Sequence, residues 1–277
     1  MERTTLLILG ASGRLGRMLQ LAWRQAAPAG LRCVWQDRHA GGPDRIVWDP
    51  LGGAAVTSVL PRADAVLNLL GVTAGDPAAL ALNTPLALAG VEAARALGAR
   101  RCLVASSAAV YGPAEAAAEG RAASPATAYG QAKAAMEAAL RGAPWVTLLR
   151  IGNVAGADAL LGGARPGSGP VLLDRFADGA GPVRSYIGPR DLAHVLAALA
   201  MAADLPDTLN ISAPGAVAMV DLLTAARLDW RWRPAPPDAV QRVTLDTARL
   251  QRHVPLPARA ADPAEIVRQW QATRRPA

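Results

Sequence analysis

The strongest constraint on the fold is an alternation of short apolar segments with longer helical ones in the first half of the 277-residue chain. Apolar strands that are joined by helices are typical of parallel sheets buried on both faces. The sequence therefore predicts an α/β fold with a doubly wound parallel sheet. The predicted strands are residues 4–9, 31–36, 45–48, 65–70, 101–105 and 145–150, and the predicted helices are 15–26, 78–97 and 128–141.

The second half of the chain is richer in glycine and proline, and we expect it to be divided between two units. Residues 1–155 are predicted to form the main domain, and 185–212 return to it with a helix at 191–203 and a strand at 208–212. Residues 156–184 and 213–277 are predicted to form a small cap that binds substrate, with a last helix at 263–272. The glycine- and proline-rich segment 156–170 is predicted to be a loop that moves over a site.

A glycine-rich turn directly follows the first predicted strand and leads into the first helix. It reads Gly10-Ala-Ser-Gly13-Arg-Leu-Gly16. Glycines let such a turn fold tightly and bring backbone N–H groups close to a pyrophosphate, whose charge is favourable at a helix N-terminus. The spacing and the position after a strand predict a dinucleotide-binding site in the main domain.

Two aspartates end the second and third strands and bear on which dinucleotide is bound. Asp37 lies where a carboxylate would accept hydrogen bonds from a ribose 2′-hydroxyl and repel a 2′-phosphate, which favours NAD. Arg38 follows it and would instead receive that phosphate, so NADP is left open. Asp49 is positioned to meet the adenine edge, with a turn or helix-capping role as the alternative.

Lys133 is the single lysine in a chain with 29 basic residues, and it follows Tyr129 by four positions. On a helix the two side chains lie on one face, one turn apart. A free phenol has a pKa of about 10, and a nearby ammonium lowers it by stabilising the phenolate. The pair is therefore predicted to act as a general acid or base on a carbonyl or alcohol oxygen.

Serines end the fifth predicted strand, in the sequence Ser106-Ser107-Ala-Ala-Val-Tyr111-Gly112. Ligands bind at the carboxyl edge of open parallel sheets. A hydroxyl at this edge would donate a hydrogen bond to the substrate oxygen that Tyr129 protonates. Ser107 is the predicted donor, and an ordinary loop role is the alternative.

Ordered motifs extend from the first strand to residue 212. They are Gly10-x-x-Gly13-x-x-Gly16, Asp37, Asp49, Asn68-Leu-Leu-Gly71, Asn83, the Ser106–Gly112 segment, Tyr129-Gly-Gln-Ala-Lys133, Arg150-Ile-Gly-Asn153-Val, Arg190-Asp191-Leu-Ala and Asn210-Ile-Ser. Together they resemble the extended short-chain dehydrogenase/reductases, the NAD(P)-dependent epimerase/dehydratase family. The resemblance implies a Rossmann domain and an enzyme that acts mostly on nucleotide sugars.

The resemblance also implies roles for individual residues. Tyr129 would be the acid/base, Lys133 would hold the nicotinamide ribose and tune Tyr129, and Ser107 would orient the substrate oxygen. Asn153 would lie near cofactor or substrate, and Tyr111 would support the loop or touch substrate. The residues expected at the cofactor are Gly10, Ser12, Gly13, Arg14, Leu15, Gly16, Asp37, Arg38, Asp49, Leu70, Gly71, Asn83, Tyr129 and Lys133.

Departures from the family pattern bear on the reaction. The family's dehydratases place a threonine and an acidic pair after the serine strand, whereas this chain has Ala108-Ala109-Val110 there, which argues against dehydration. The expected activity is net oxidation or reduction, or epimerisation through a ketone, and the alternative is a non-catalytic NAD(P)-binding sensor or scaffold. Candidates to pair with a substrate diphosphate are Arg175, Arg184, Arg190 and Arg231.

Charge and hydropathy limit the other classes of function. The net charge is +7, but the arginines are scattered and do not alternate with aromatic residues, so nucleic-acid binding is not predicted. The apolar run that ends at Gly10 is too short for a signal peptide, and no uninterrupted apolar run reaches the length of a membrane span. We expect a soluble, cytoplasmic protein without a metal site.

The alanine-rich helices 78–97 and 128–141 are expected to form the interface of a homodimer. Members of the family that this chain resembles commonly dimerise through these two helices.

Overall fold

The computed structural model describes residues 3–39, 41–143, 145–163 and 169–273 of the chain. Its strands are β1 (Thr4–Leu9), β2 (Leu31–Asp37), β3 (Arg45–Val47), β4 (Ala65–Asn68), β5 (Arg101–Ser107), β6 (Ala114–Ala117), β7 (Val146–Ile151), β8 (Asn153–Val154), β9 (Val171–Arg175), β10 (Val183–Arg184), β11 (Tyr186–Ile187), β12 (Thr208–Ile211), β13 (Val217–Ala218), β14 (Trp230–Pro234) and β15 (Arg242–Leu245). Its helices are α1 (Arg14–Gln25), α2 (Pro77–Ala81), α3 (Asn83–Ala96), α4 (Ala128–Ala139), α5 (Ala159–Gly162), α6 (Pro189–Met201), α7 (Met219–Ala225), α8 (Ala248–His253) and α9 (Pro263–Ala272). Short 3-10 helices lie at Val56–Ser58, Ala108–Tyr111 and Ala258–Ala261.

The main sheet confirms the predicted α/β fold. Within the described ranges it contains seven strands in the order β12-β7-β5-β4-β1-β2-β3, and every neighbouring pair is parallel. The chain leaves β1 towards β2 and β3, then crosses back to place β4 on the other side of β1. The strand order therefore reverses at the β1/β4 junction, which is where open parallel sheets bind ligands.

Alternation along β1 shows how the sheet is covered on both faces. Leu6 and Ile8 pack into one apolar cluster with α1 and α6, whereas Leu7 and Leu9 pack into another with α3 and α4. All four side chains are fully buried. Successive side chains of a strand point to opposite faces, so an uninterrupted apolar run supplies both cores at once.

The predicted helix 78–97 is interrupted in the structure, where α2 ends and α3 begins around Leu82. Pro85 has no N–H to bond the carbonyl four residues before it, so the helix cannot continue regularly through this point. The Leu82 N–H instead bonds the carbonyl oxygen of Ala79 at 3.2 Å. The Asn83 side chain donates to the Leu80 carbonyl at 2.8 Å and so stabilises the junction.

Segments of the second half interleave with the first. β12 pairs with β7 in the main sheet, and α6 packs against α1. A smaller sheet has the order β13-β10-β15-β6, so β6 from the first half joins strands from the second. The predicted loop 156–170 contains the short helix α5, while Pro166 and Gly167 lie outside the described residues.

The sequence analysis did not predict the strands β9 and β14. These strands run parallel to each other, and Trp230 and Trp232 of β14 contact edge to face with ring centroids 4.9 Å apart. Alternation of tryptophan and arginine in β14 was a period-two signal for a strand with one buried face.

None of the helices in the described part of the chain is long and apolar enough to cross a bilayer.

Candidate active site

The glycine turn lies at the carboxyl end of β1, at the point where the strand order reverses. Gly10 has a φ of +84°, a conformation that side chains with a Cβ rarely adopt. A Cβ at Gly16 would overlap the Gly10 carbonyl oxygen and lie 2.7 Å from the Cα of Ala11. Gly13 occupies the N-cap of α1 and supplies no capping side chain, so the N–H groups of the first turn face outward for an anion.

Two buried glutamines hold this turn in place, and the sequence analysis missed both. The Gly10 N–H donates to Oε1 of Gln36 at 2.9 Å, and the Nε2 of Gln36 donates to the Trp48 carbonyl at 2.6 Å. The Nε2 of Gln20 donates to the Ala11 carbonyl at 2.8 Å. Gln36 is 2% exposed. A polar residue at the buried end of an apolar strand was the signal, since a buried amide requires partners.

The other predicted residues of the turn lie on its outer side. Ser12 and Arg14 are exposed, and Leu15 is half-buried against the core. Arg14 donates from Nη1 to the Ala157 carbonyl at 2.5 Å, across 143 positions of sequence. The glycine turn and the segment that follows β8 therefore meet directly.

Asp37 ends β2 beside the glycine turn. Its carboxylate accepts the His39 N–H at 3.0 Å and lies 3.6 Å from Nη1 of Arg45, which limits its orientation. Arg38 is exposed next to it. Asp49 accepts the Leu51 N–H at 3.1 Å, so its alternative role in a turn is present, and its contact with adenine stays a prediction.

The segment after β4 forms the other wall of the junction. The Leu70 N–H donates to Oδ1 of Asn68 at 3.0 Å. A Cβ at Gly71 would lie 2.9 Å from Oδ1 of Asn83 and 3.2 Å from Nζ of Lys133, so a larger residue would displace these side chains. Gly71 thus brings the backbone close to the predicted ribose-binding lysine.

Asn83 differs from its predicted role as a lining residue of the cofactor channel. Its side chain has no exposed surface. Nδ2 donates to the carbonyls of Val72 and Leu80, and Oδ1 accepts the Val72 N–H at 3.2 Å. Asn83 therefore fastens the segment that follows Gly71 and does not present a polar atom to the channel.

Ser107 and Tyr129 are brought together at the carboxyl end of β5. Tyr129 lies in the first turn of α4, which Thr127 caps by accepting the Gly130 N–H at 3.1 Å. A Cβ at Gly130 would lie 2.5 Å from the Ala109 carbonyl oxygen, so glycine allows α4 to approach the residues after Ser107. These contacts place the Tyr129 phenol near the Ser107 hydroxyl.

The predicted lowering of the Tyr129 pKa by Lys133 is not found. Burial raises the pKa of the phenol, and the nearby Ser107 hydroxyl opposes that rise. The reason is the direction of the ammonium: Nζ of Lys133 donates to the Ala105 carbonyl at 2.9 Å and contacts Sδ of Met136 at 3.7 Å. Lys133 is 4% exposed, and burial lowers its pKa to about 8.

A buried polar network lies behind this set, and the sequence analysis did not anticipate its centre. Glu137 binds Nη2 of Arg150 at 2.7 Å and accepts the Ser106 hydroxyl at 2.6 Å. Arg150 also donates to the Tyr111 hydroxyl at 2.9 Å, and that hydroxyl donates to Oδ1 of Asn210 at 2.8 Å. Glutamate four residues after Lys133, on the same helix face, was the available signal.

Two of the residues proposed for substrate contact, Tyr111 and Arg184, make internal contacts in the structure. Tyr111 is fully buried in the network, which supports its alternative role in holding the loop. Arg184 donates from Nη1 to the Val183 and Gln241 carbonyls and from Nη2 to the Val240 carbonyl, so its guanidinium is occupied by backbone. Asn153 is half-buried and pairs in register with Tyr186 of the neighbouring strand β11.

A cavity of about 710 Å³ lies at the opposite end of the sheet, near the amino ends of β1 and β2. Two ion pairs lie in its lining, Arg62 with Asp64 at 3.2 Å and Arg32 with Asp44 at 3.5 Å. Its lining contains no tyrosine and no lysine, in contrast to the carboxyl edge. Among the described residues, no three histidine, cysteine, aspartate or glutamate side chains cluster as metal ligands would.

The parallel sheet, the glycine cradle at its strand reversal and the hydroxyl pair beside a buried lysine define a dinucleotide-binding α/β protein. The chain belongs to the NAD dependent epimerase/dehydratase family, whose sequence profile matches residues 6–211. The cradle fits such a cofactor because its backbone folds tightly around Gly16, where a Cβ would overlap the Gly10 carbonyl oxygen. When bound, NAD would be held by the turn of Gly10, Gly13 and Gly16 and would supply a hydride acceptor.

Solved structures with the same fold align with nearly the full length of the chain. A UDP-glucose-4-epimerase from Stenotrophomonas maltophila, with bound NAD and formylated UDP-arabinopyranose, is 18% identical, with 98% of each chain covered and a TM-score of 0.77. The NAD dependent NDP-hexosamine 5,6-dehydratase TunA is 18% identical, with 99% of each chain covered and a TM-score of 0.78. A UDP-glucose 4-epimerase from Bifidobacterium longum, in complex with NAD+ and UDP, is 18% identical, with 97% and 98% covered and a TM-score of 0.76. A comparison with curated protein sequences found no match.

Proposed function

We propose that the protein is an NAD-dependent enzyme that transfers hydride to or from a sugar-like carbinol or ketone. Tyr129, Ser107 and Lys133 form the catalytic set. The observation that carries the proposal is the placement of the Tyr129 phenol near the Ser107 hydroxyl at the carboxyl end of β5. It is supported by Lys133, whose ammonium lies beside Gly71 at the strand reversal.

The side chains divide the proton chemistry between them. Burial raises the pKa of Tyr129, so the phenol is protonated near neutral pH and is ready to donate to an oxyanion during ketone reduction. Ser107 would donate to the same oxygen and hold it in line with the phenol. In the oxidative direction Tyr129 must accept a proton, which requires its deprotonated form.

The proposed substrate is a nucleotide sugar bound between the main domain and the cap of residues 156–184 and 213–277. The similar solved structures named above include two UDP-glucose 4-epimerases, and both outcomes, epimerisation and net oxidation or reduction, begin with the same hydride transfer. TunA is a dehydratase by name. We nevertheless propose no dehydration here, because Ala108 and Ala109 offer no acidic group beyond Ser107.

A direct assay tests this function. Purified protein is incubated with NAD and a series of UDP- and TDP-hexoses, and the reduced nicotinamide absorbance and the sugar products are followed. Net oxidation produces the absorbance, whereas epimerisation produces a new sugar without lasting absorbance. Failure to convert any sugar, with NAD bound, would favour the alternative of a non-catalytic NAD(P)-binding sensor.

We also propose a homodimer through the outer faces of α3 and α4, which pack against each other. Leu82 and Leu88 are 42% and 40% exposed on this side of the molecule, and burying such side chains favours association. The wild-type protein is expected to have the mass of a dimer in light scattering. The Leu88→Glu variant should shift towards monomer, whereas Leu172→Glu, at an exposed leucine of β9, should not; a monomeric wild type would contradict the proposal.

A further inference from the structure

Glu137 continues the helix face that carries the proposed catalytic groups. Tyr129, Lys133 and Glu137 occur at intervals of four residues on α4, so each lies one turn from the next. Glu137 is 8% exposed. A carboxylate that is removed from water in this way must be compensated by charge and hydrogen bonds.

The compensation comes from the sheet below the helix. Arg150 of β7 binds both carboxylate oxygens of Glu137, with N–O distances of 2.7 to 3.2 Å. The Ser106 hydroxyl of β5 donates to the same carboxylate at 2.6 Å. These bonds fix the position of the Glu137 carboxylate relative to the strand that ends at Ser107.

Lys133 has no comparable partner of its own. Among the described residues no carboxylate lies within ion-pair distance of its ammonium, which bonds a backbone carbonyl and contacts a thioether. Burial lowers the pKa of Lys133 to about 8, and the negative charge of Glu137 opposes that lowering. Without an opposing charge, burial would drive the lysine further towards its neutral form.

Among the described residues, the other side chains of this cluster carry no negative charge. β5 ends in Ser106 and Ser107, and Oδ1 of Asn83 lies near the same Gly71 position as the Lys133 ammonium. Arg150, from β7, is positive and is bound by Glu137. Tyr129 on α4 and Tyr111 in the 3-10 helix are neutral phenols whose pKa values are raised by burial.

We propose that Glu137 is a positioning residue whose negative charge keeps the buried Lys133 protonated beside the cofactor channel. The consequence for turnover rests on the proposed function, whereas the charge state of Lys133 does not. A purely structural Glu137 would only anchor α4 to β5 and β7 through Ser106 and Arg150. The two roles differ in one respect: only the first makes the titration of Lys133 depend on the charge at position 137.

The test uses the fact that Lys133 is the only lysine in the chain. Incorporation of lysine labelled with carbon-13 at Cε gives one side-chain signal, whose NMR titration reports the Lys133 pKa without turnover. In Glu137→Gln the carboxamide preserves the shape of the side chain and removes its charge. The pKa of Lys133 is expected to fall from about 8 by about one unit or more. If the variant turns over, the high-pH limb of kcat/KM should move to lower pH by the same amount.

A matched control and a second variant keep the result decisive. Glu119→Gln removes another buried carboxylate of the same network, which pairs with Arg249 and accepts the Asn210 N–H. It should leave the titration of Lys133 unchanged. If Glu137→Gln does not fold because Arg150 is left unpaired, the double variant Glu137→Gln/Arg150→Gln removes both charges. It should still lower the Lys133 pKa.

Unchanged titration of Lys133 in the folded single or double variant would overturn the proposal, as would an equal shift in Glu119→Gln. Absence of turnover on every sugar would count against the proposed function alone. The titration would still decide whether Glu137 controls the charge of Lys133.

Discussion

Tyr129→Phe is expected to lower kcat by about 10²- to 10⁴-fold, the usual contribution of a general acid or base. The phenyl ring retains the packing of the phenol but has no proton to exchange with the substrate oxygen. Because the glycine cradle is untouched, NAD should bind with nearly the wild-type affinity. The measurement pairs steady-state rates on a converted sugar with a calorimetric titration of NAD.

Tyr111→Phe is the matched control for this prediction. It removes a hydroxyl that bonds Arg150 and Asn210 in the buried network, away from the proposed reaction. It should lower the free energy of unfolding by about 1–3 kcal/mol, because buried polar partners are left unsatisfied, and leave kcat within a few fold. Equal rates for Tyr129→Phe and wild type would remove Tyr129 from the chemistry.

The second large effect is expected at Gly16. In Gly16→Ala the new Cβ would overlap the Gly10 carbonyl oxygen and crowd Ala11, both of which are backbone and cannot move aside as a flexible side chain would. The turn must open, which costs about 1–3 kcal/mol of stability. NAD affinity should fall about 100-fold, equivalent to about 2.8 kcal/mol.

Gly120→Ala provides the comparison for Gly16→Ala. Gly120 is exposed, and a Cβ there would meet nothing within 4 Å. The melting temperature and the NAD affinity of the Gly120→Ala variant should match those of the wild type. If Gly16→Ala bound NAD as tightly as Gly120→Ala does, the glycine turn would not be the cofactor cradle.

The main sheet could be predicted because its strands are local apolar runs. Leu6-Leu7-Ile8-Leu9 is buried on both faces, and such a run needs no knowledge of distant contacts to be identified. The glycine turn could be predicted for the same reason, since its position after β1 is contained in adjacent residues. Pro85 was a local signal for the break between α2 and α3 at Leu82. The periodic apolar pattern of residues 78–97 nevertheless favoured one continuous helix.

Roles that depend on contacts between distant residues could not be predicted. Tyr111 carries a hydroxyl that could contact substrate, and nothing in the neighbouring sequence argues against that role. Its contacts with Arg150 and Asn210, which lie 39 and 99 positions away, show that it is internal. Arg184 was predicted to pair with a diphosphate, but its guanidinium donates hydrogen bonds to the backbone carbonyls of Val240 and Gln241. Local sequence identifies residue types suited to chemistry, whereas burial decides which of them meet solvent.

The smaller sheet bears on how the chain can be divided. β6, from residues 114–117, is bonded to β15, from residues 242–245, and it begins seven positions after Ser107. A truncation that removed the C-terminal residues would leave an unpaired strand edge close to the proposed reaction centre. The two halves are therefore expected to melt in a single cooperative transition, and swapping only the C-terminal portion with that of another protein would disturb the backbone that carries Ser107.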